Sequence, residues 1–411
     1  MHVFRGHPDF RRLWVGDVLS KVGGQVLLFA VPVLAAIVLG ASTWQVGLLS
    51  TFAGLPYVVF GLLIGTWSDR VRRRLILMTA DVVRAVVLAW IPVASILGVL
   101  TVEQLYVVQF LAGTATAFFD ISLGAYVPFL VGRDRLIGAN AALEANRTVT
   151  FTLGPSLAGQ LVTWLGAAAA MLTTVVGFLW SAAWLGVIKA REPAVPQEPD
   201  RHLVREIRDG IRFTLGQPFI RATTLHATSV VLFLSTRYAI ETLFLLRTIG
   251  LSPAVIGLLL IGPGVGSVTG AATAPWIARR IGRVRTVLVA AIGMGAASLL
   301  IPLADDGARL AFYVAGAAGV SISITVTNVT ALSLRQVLCP DELLGRMNAT
   351  SRFLGWATLP LGGIVGGALG TAIGLRETLW ISAAGVAISA LLLVSPRTMR
   401  TRDLDRTPTG D

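Results

Sequence analysis

The fold follows from residues 65–74, which read Gly-Thr-Trp-Ser-Asp-Arg-Val-Arg-Arg-Arg and join two long apolar runs. The runs, at 46–66 and 75–98, each reach about the 20 residues that a helix needs to cross a bilayer. Over the 411 residues, 55% are hydrophobic and only 14% are charged, whereas a soluble domain has about 25% charged residues. The sequence therefore predicts an all-α membrane protein.

Hydropathy divides the chain into twelve predicted spans. They lie at 12–39, 46–66, 75–98, 104–131, 139–164, 167–188, 219–246, 253–278, 285–304, 308–334, 343–373 and 377–395. Several exceed 20 residues, which helix tilt accommodates.

Basic residues are distributed unequally between the loops. With the N-terminus in the cytoplasm, 26 of them lie on the cytoplasmic side, and only Arg247, Arg309 and Arg376 lie on the other side. Because cytoplasmic loops carry an excess of Lys and Arg, we expect a multi-pass protein of the inner (plasma) membrane with both termini cytoplasmic. This topology explains the net charge of +12, so we expect no nucleic-acid partner.

A single long polar stretch, residues 189–217, falls at the midpoint of the chain. Prolines open it, and apolar residues at every fourth position predict an amphipathic helix over 202–215, lying on the cytoplasmic membrane surface. The predicted domains are a six-helix half at 1–188, a linker at 189–217, a six-helix half at 218–395 and a tail at 396–411.

The two halves carry matching motifs. Arg147 and Pro155 in the fifth span are matched by Arg352 and Pro360 in the eleventh, with the proline eight residues after the arginine in both copies. A duplication of six helices is therefore predicted, giving two pseudo-symmetric halves. Transporters built in this way bind substrate between the halves, near the middle of the membrane.

The loop that joins the second and third spans is also a candidate gate. An aspartate at a helix end can pair with arginines or cap a neighbouring helix, and such a relay can latch a protein in one state. A loop that follows the positive-inside rule and contains an incidental aspartate is the alternative. The candidate gating residues are Gly65, Asp69, Arg70, Arg73 and Arg74.

Residues 65–74 resemble the signature loop of the major facilitator superfamily. Residues 118–120 (FFD), 136–141 (LIGANA) and 343–349 (LLGRMNA) resemble the branch that contains macrolide-efflux and enterobactin-exporter proteins. The resemblance covers nearly the whole chain. It implies the major facilitator fold, alternating access without ATP, and export that is commonly coupled to protons.

The fifth span contains a proline between small residues, at Gly154, Pro155 and Gly159. Proline kinks a helix, and small neighbours allow close packing at the kink. The stretch resembles the antiporter motif of drug-exporting facilitators, although the upstream glycines of that motif are missing. We predict a hinge at these residues, with a merely structural kink as the alternative.

Asp120 lies near the middle of the fourth span, where a charge costs about 2.5–3.5 kcal/mol. It is the first candidate for a protonatable or cation-binding group, and a structural, hydrogen-bonded aspartate is the alternative. Many drug-exporting facilitators have an arginine four residues before a glycine in this helix. Here Gln109 stands four residues before Gly113, so the usual proton relay cannot be transferred.

Pairs of opposite charge with helical spacing occur within predicted spans, among them Arg237 with Glu241, Asp17 with Lys21 and Asp81 with Arg84. Arg237 and Glu241 in the seventh span either neutralise each other, or face a cavity and bind a charged substrate or gate the outer side. The other two pairs are expected to be structural; they are Asp17 with Lys21 and Asp81 with Arg84.

Two uncharged polar residues complete the candidate set. His226 is the one histidine predicted to enter the membrane, where it either carries protons or packs as a hydrogen-bonded residue. Asn328 belongs to a polar stripe in the tenth span, which suits either a water-filled cavity or hydrogen bonds between helices.

The chain is thus predicted to be a proton-coupled secondary exporter of a drug, siderophore or secondary metabolite, with an importer of a small metabolite as the alternative. Neither lysine, Lys21 or Lys189, precedes Ser or Thr, so no P-loop is present. With the single cysteine Cys339 and no HExxH motif, we expect no catalytic residue, metal site or cofactor. The expected partners are the substrate, protons and the lipid bilayer around a monomer.

Overall fold

The computed structural model describes residues 7–68, 71–132, 135–190, 192, 203–339 and 341–394. These residues form helices and no strands, as the sequence predicts. The α-helices are α1 (Pro8–Val33), α2 (Thr43–Ser68), α3 (Arg73–Ile96), α4 (Val102–Val131), α5 (Leu136–Leu165), α6 (Ala167–Val187), α7 (Leu203–Gly216), α8 (Pro218–Leu243), α9 (Pro253–Leu259), α10 (Ile261–Ile281), α11 (Arg283–Ser298), α12 (Leu310–Leu338), α13 (Asp341–Ala372) and α14 (Leu375–Ser389).

The helices coincide with all twelve predicted spans. In the described part of the chain, ten segments are long and apolar enough to cross a membrane. The helices α2 and α5 have 26 and 30 residues, which is also enough to span a bilayer. The eighth span is interrupted at Leu260, between α9 and α10, where Pro263 in the first turn of α10 has no N–H to continue the hydrogen bonding. The helices are consistent with twelve crossings.

Two compact units divide the chain. The first consists of Met1–Pro199 with Leu245–Leu258, and the second of Asp200–Phe244 with Leu259–Asp411. In the first unit α1 packs against α5 and α6, and α4 packs against α2 and α3. In the second unit α8 packs against α13 and α14, and α12 packs against α10 and α11. The same order of neighbours therefore recurs in both.

Glycines bring the helices of the first unit into backbone contact. A Cβ on Gly177 of α6 would lie 2.6 Å from the carbonyl oxygen of Leu19 in α1. About one turn further along α1, the carbonyl oxygen of Gly23 accepts a hydrogen bond of 2.9 Å from the hydroxyl of Thr174 in α6. Such close approach is how membrane helices associate without a hydrophobic driving force.

The helices α1 and α8 have the same irregular ending. Both are 26 residues long with proline as the first residue. Both continue into a five-residue π-helical turn, at Leu34–Val38 and Phe244–Thr248. A glycine with positive φ then follows two residues after each turn, Gly40 at 60° and Gly250 at 82°. Because π turns are rare, this agreement is strong structural evidence for the internal repeat.

The predicted amphipathic helix is present as α7. Its apolar side chains Ile211 and Leu215 are 38% and 39% exposed, as a helix lying on a membrane surface requires. Phe213 instead packs against the buried side chains of Ile220, Cys339 and Met347. Most of the predicted linker before this helix, and the predicted tail at 396–411, lie outside the described residues.

Candidate functional site

Asp120 lies within α4, and its side chain is exposed. Its Oδ2 atom accepts a hydrogen bond of 2.8 Å from the phenol hydroxyl of Tyr57 in α2. Among the described residues no lysine, arginine or histidine forms an ion pair with Asp120. The carboxylate is therefore held by a neutral donor and is accessible.

The side of α4 that carries Asp120 also contacts α2. At about 100° per residue, Asp120 lies opposite Leu111, an apolar side chain that is 43% exposed. Gly113 lies on the same side as Asp120, and a Cβ there would be 2.5 Å from the carbonyl oxygen of Ala53 in α2. Gln109 is buried one turn before this contact. The carboxylate thus lies beside the junction of α2 and α4.

The Asp17–Lys21 pair forms as its spacing predicts. The ammonium of Lys21 is 2.7 Å from Oδ1 of Asp17. The amide of Asn146 in α5 donates a further hydrogen bond of 2.7 Å to Oδ2 of the same aspartate. Asp17 is buried, so these donors offset the cost of burying its charge and join α1 to α5.

Asp81 and Arg84 also form the predicted ion pair, and both are buried in α3. The guanidinium of Arg84 lies between two aromatic rings, 4.4 Å from the centre of Phe119 and 4.1 Å from that of Phe178. The pair is enclosed by α3, α4 and α6, which suits a structural role.

The Arg237–Glu241 pair is buried in α8, with each residue 5% exposed. Nε of Arg237 is 3.6 Å from Oε1 of Glu241, and the hydroxyl of Tyr313 in α12 donates a 2.9 Å hydrogen bond to the same oxygen. Nε and Nη1 of Arg237 have no hydrogen-bond partner among the described residues. The charges are balanced, but the donors of the guanidinium are not all used.

His226 and Asn328 lie in different surroundings. His226 is buried, and its Nδ1 is 3.0 Å from the carbonyl oxygen of Ser389 at the end of α14. Asn328 is exposed. Counted in residues from the start of its helix, Asn328 has the same position in α12 as Asp120 has in α4.

The predicted hinge contacts α9 within the first unit. A Cβ on Gly159 would lie 2.5 Å from the carbonyl oxygen of Pro253, and a Cβ on Gly257 would lie 2.5 Å from that of Pro155. Gly154 faces the side chain of Gln25 in α1. The two glycines Gly159 and Gly257 therefore allow the backbones of α5 and α9 to touch.

The predicted gate is described only in part. Gly65 lies near the end of α2, Asp69 and Arg70 lie outside the described residues, and Arg73 is the first residue of α3. Arg74 donates from Nε to the carbonyl oxygen of Leu185 at 2.8 Å, and from Nη2 to the next carbonyl. These acceptors lie at the C-terminal end of α6, where the helix dipole favours a cation.

A family model described as a transmembrane secretion effector matches residues 4–410. The chain belongs to this family of the major facilitator superfamily. This facilitator is a multi-pass membrane transporter and not an enzyme. The family and the major facilitator fold that the sequence resemblance implied are thereby confirmed, and the helices are consistent with the predicted twelve spans.

Relatives of this facilitator have exporter names. The enterobactin exporter EntS of Salmonella typhi is 24% identical over 405 residues, which cover 96% of this chain and 93% of EntS. Macrolide efflux protein A of Streptococcus pyogenes is 22% identical over 405 residues, which cover 96% and 97%. The predicted branch is therefore confirmed.

Solved structures confirm the fold of this facilitator. A bacterial homologue of the iron transporter ferroportin, in an inward-facing state, has a TM-score of 0.77 and 16% sequence identity. The match covers 94% of this chain and 97% of the homologue. A point mutant of the nucleoside transporter NupG has a TM-score of 0.75 and 12% identity, with 94% and 98% covered.

Replacing Arg74 by Ala in this facilitator should lower its free energy of unfolding by about 1.5–3 kcal/mol, because charge-assisted hydrogen bonds to the end of α6 are lost. Thermal unfolding of the purified protein in detergent measures the change. Arg74→Lys keeps the charge but not the forked geometry, so it should recover only part of the loss. Equal stability of all three proteins would contradict a role for Arg74 in fixing α6.

Proposed function

We propose that this facilitator is a secondary exporter, which moves a small molecule out of the cell by alternating access while protons move inward. The direction is supported by the names of the two relatives, an enterobactin exporter and a macrolide efflux protein, each matched over more than 90% of its length. A drug, a siderophore and a secondary metabolite are all compatible with these relatives.

Asp120 is the observation that carries the proposed proton coupling. Away from the first turns of the helices, the other acidic residues described within the spans have cationic partners: Asp17 has Lys21, Asp81 has Arg84, Glu144 has Arg147 and Glu241 has Arg237. Asp120 has a neutral partner and an accessible carboxylate. It can therefore gain or lose a proton without breaking an ion pair. Each proton that moves inward yields about 2.3 kcal/mol per 100 mV.

We place the protein in the inner membrane with both termini cytoplasmic. Support comes from the excess of basic residues in the loops that this orientation assigns to the cytoplasm. The exposed apolar side chains of α7 fit the same orientation, since that helix follows the polar linker onto the membrane surface. Reporter fusions to either end of the chain test the placement.

Expression in an efflux-deficient strain, with a panel of toxic compounds, tests the proposed function. The wild type should raise resistance to at least one compound, and a protonophore should abolish that resistance. Asp120→Asn should reduce resistance to the level of the empty vector, because the amide cannot carry a proton. Glu144→Gln, which changes an exposed carboxylate paired with Arg147, is the matched control and should retain resistance.

Protonophore-sensitive resistance at the wild-type level in Asp120→Asn would exclude Asp120 as the coupling residue. Flux in everted vesicles decides the direction, because an exporter accumulates its substrate inside them and an importer does not. The membrane amount of each variant is measured in parallel, so that loss of expression is not mistaken for loss of coupling.

A further inference from the structure

One side of α7 is exposed and carries both arginines and apolar residues. Arg208, Ile211, Arg212 and Leu215 stand at positions i, i+3, i+4 and i+7, which places them on one side of the helix. All four side chains are exposed. We call these four residues the basic face of α7.

The opposite side of α7 packs against the protein. Thr214 is buried, and the ring of Phe213 packs against Cys339, which follows α12, and against Met347 in α13. At about 100° per residue, Phe213 lies across the helix from Ile211 and Leu215. The basic face is therefore on the side of α7 that points away from α13.

Hydrogen bonds at Gln217 fix the direction of α7. The backbone N–H of Gln217 donates to the carbonyl oxygen of Phe213 at 3.1 Å. Its side-chain Oε1 accepts from the backbone N–H groups of Phe219 and Ile220, at 2.8 and 3.2 Å. One residue thus ends α7 and caps α8. The basic face is consequently held in one orientation relative to α8.

The charge of the basic face is not neutralised by the part of the chain that the structure describes. Neither Arg208 nor Arg212 forms an ion pair with a described residue. The acidic residues of α7, Glu206 and Asp209, fall outside the basic face in the helical register. Guanidinium groups beside apolar side chains match a layer of phosphate headgroups above acyl chains, since arginine binds phosphate oxygens through its forked N–H groups.

A second protein molecule suits the basic face less well than a lipid surface does. Stable protein interfaces bury about 1,200–2,000 Å². The basic face offers two apolar side chains, Ile211 and Leu215, which are 38% and 39% exposed. Such a small apolar area beside two positive charges is enough for an interfacial helix, which adds a shallow insertion to attraction by anionic lipid.

We propose that the basic face of α7 binds the headgroups of anionic phospholipids. Arg208 and Arg212 contact the phosphates, and Ile211 and Leu215 enter the apolar layer beneath them. Because Phe213 packs against Met347 on the other side of α7, the bound lipid also steadies the first turns of α13. This binding needs neither a substrate nor a proton gradient, so its test does not depend on the proposed transport.

Quenching of a fluorophore at the end of α7 by spin-labelled lipid tests the proposal. Gly216→Cys carries the fluorophore, because a Cβ built there meets no atom within 4 Å. The buried Cys339 is replaced by Ala in the same chain, so that only residue 216 is labelled. The purified full chain is reconstituted in phosphatidylcholine vesicles that contain a small fraction of spin-labelled phosphatidylglycerol, or the same fraction of spin-labelled phosphatidylcholine.

Phosphatidylglycerol should be enriched around the label at residue 216 by at least about fivefold over phosphatidylcholine. The enrichment should disappear at about 1 M salt, because exposed charges are then screened within about 3 Å. The same fluorophore on Ile96→Cys, at the end of α3 where the side chain is 85% exposed, should show no such enrichment.

Matched variants separate the basic face from the overall charge of the protein. Arg208→Gln with Arg212→Gln should remove the enrichment, and Arg208→Lys with Arg212→Lys should retain most of it. Arg279→Gln with Arg285→Gln removes the same charge from exposed positions on α10 and α11 and should leave the enrichment unchanged. Size-exclusion profiles report the folding of each variant.

Equal quenching by the two lipids in the wild type would overturn the proposal, as would enrichment that survives the loss of both arginines of α7. Self-quenching between fluorophores on two copies of the chain, without enrichment of phosphatidylglycerol, would mean that a second copy covers the basic face. That result would overturn the proposal as well.

Discussion

Replacing Glu241 alone by Val should destabilise the facilitator by about 3–5 kcal/mol, because Arg237 would remain as an uncompensated buried charge. Replacing both residues, Arg237→Leu with Glu241→Val, should recover most of that loss. In the first repeat, Leu27 and Val31 have the same positions in α1 as Arg237 and Glu241 have in α8, counted from the first residue of each helix. The first repeat therefore has apolar side chains at the two positions. Thermal unfolding in detergent measures both changes.

The exposed pair Glu144 and Arg147 provides the matched control. Its side chains are 58% and 69% exposed, so Glu144→Val should cost at most about 1 kcal/mol. A double variant at 237 and 241 as unstable as the single one would contradict the argument. Transport by the double variant then separates the two interpretations of this pair. Normal transport indicates mere neutralisation, and lost transport in a folded protein indicates a role in substrate binding or gating.

Replacing Gly257 by Leu should reduce transport by at least about tenfold. The first atom of any side chain there would lie 2.5 Å from the carbonyl oxygen of Pro155 and 3.1 Å from Cα of Gly159. Both neighbours are backbone, so α5 and α9 would have to separate, and overpacking of this kind costs about 1–3 kcal/mol. Gly257→Ala should have a smaller effect of the same sign. Substrate flux per molecule of membrane-inserted protein is the measurement.

Gly24→Leu is the control for this prediction, since no other atom lies within 4 Å of a Cβ built at Gly24. That variant should transport as the wild type does. Undiminished flux through Gly257→Leu would mean that the contact of α5 with α9 is dispensable, and that the proline motif in α5 is a structural kink.

Ion pairs within one helix could be predicted from the sequence, because helical spacing alone brings the partners together. Asp17 with Lys21 and Arg237 with Glu241 are such cases, and both pairs form. The partner of Asp120 could not be predicted, since Tyr57 lies on another helix. Hydropathy predicts where helices begin and end, but it does not predict which helices pack against each other.

Other contacts of the site could not be predicted from a single sequence. Gly257 is one of 43 glycines, and nothing in its apolar surroundings indicates that it faces Pro155 and Gly159. The acceptors of Arg74 are backbone carbonyls, which every residue has. The sequence marks Arg74 as a candidate, whereas its partner depends on where α6 ends.

The π-helical turns at Leu34–Val38 and Phe244–Thr248 have a consequence for the ancestry of this transporter. The two turns share hardly any side chains, yet they lie at the same place in the two copies. The residues of the two turns differ, but the backbone irregularity is the same. We infer that the six-helix polypeptide that was duplicated already had the widened turn at this place.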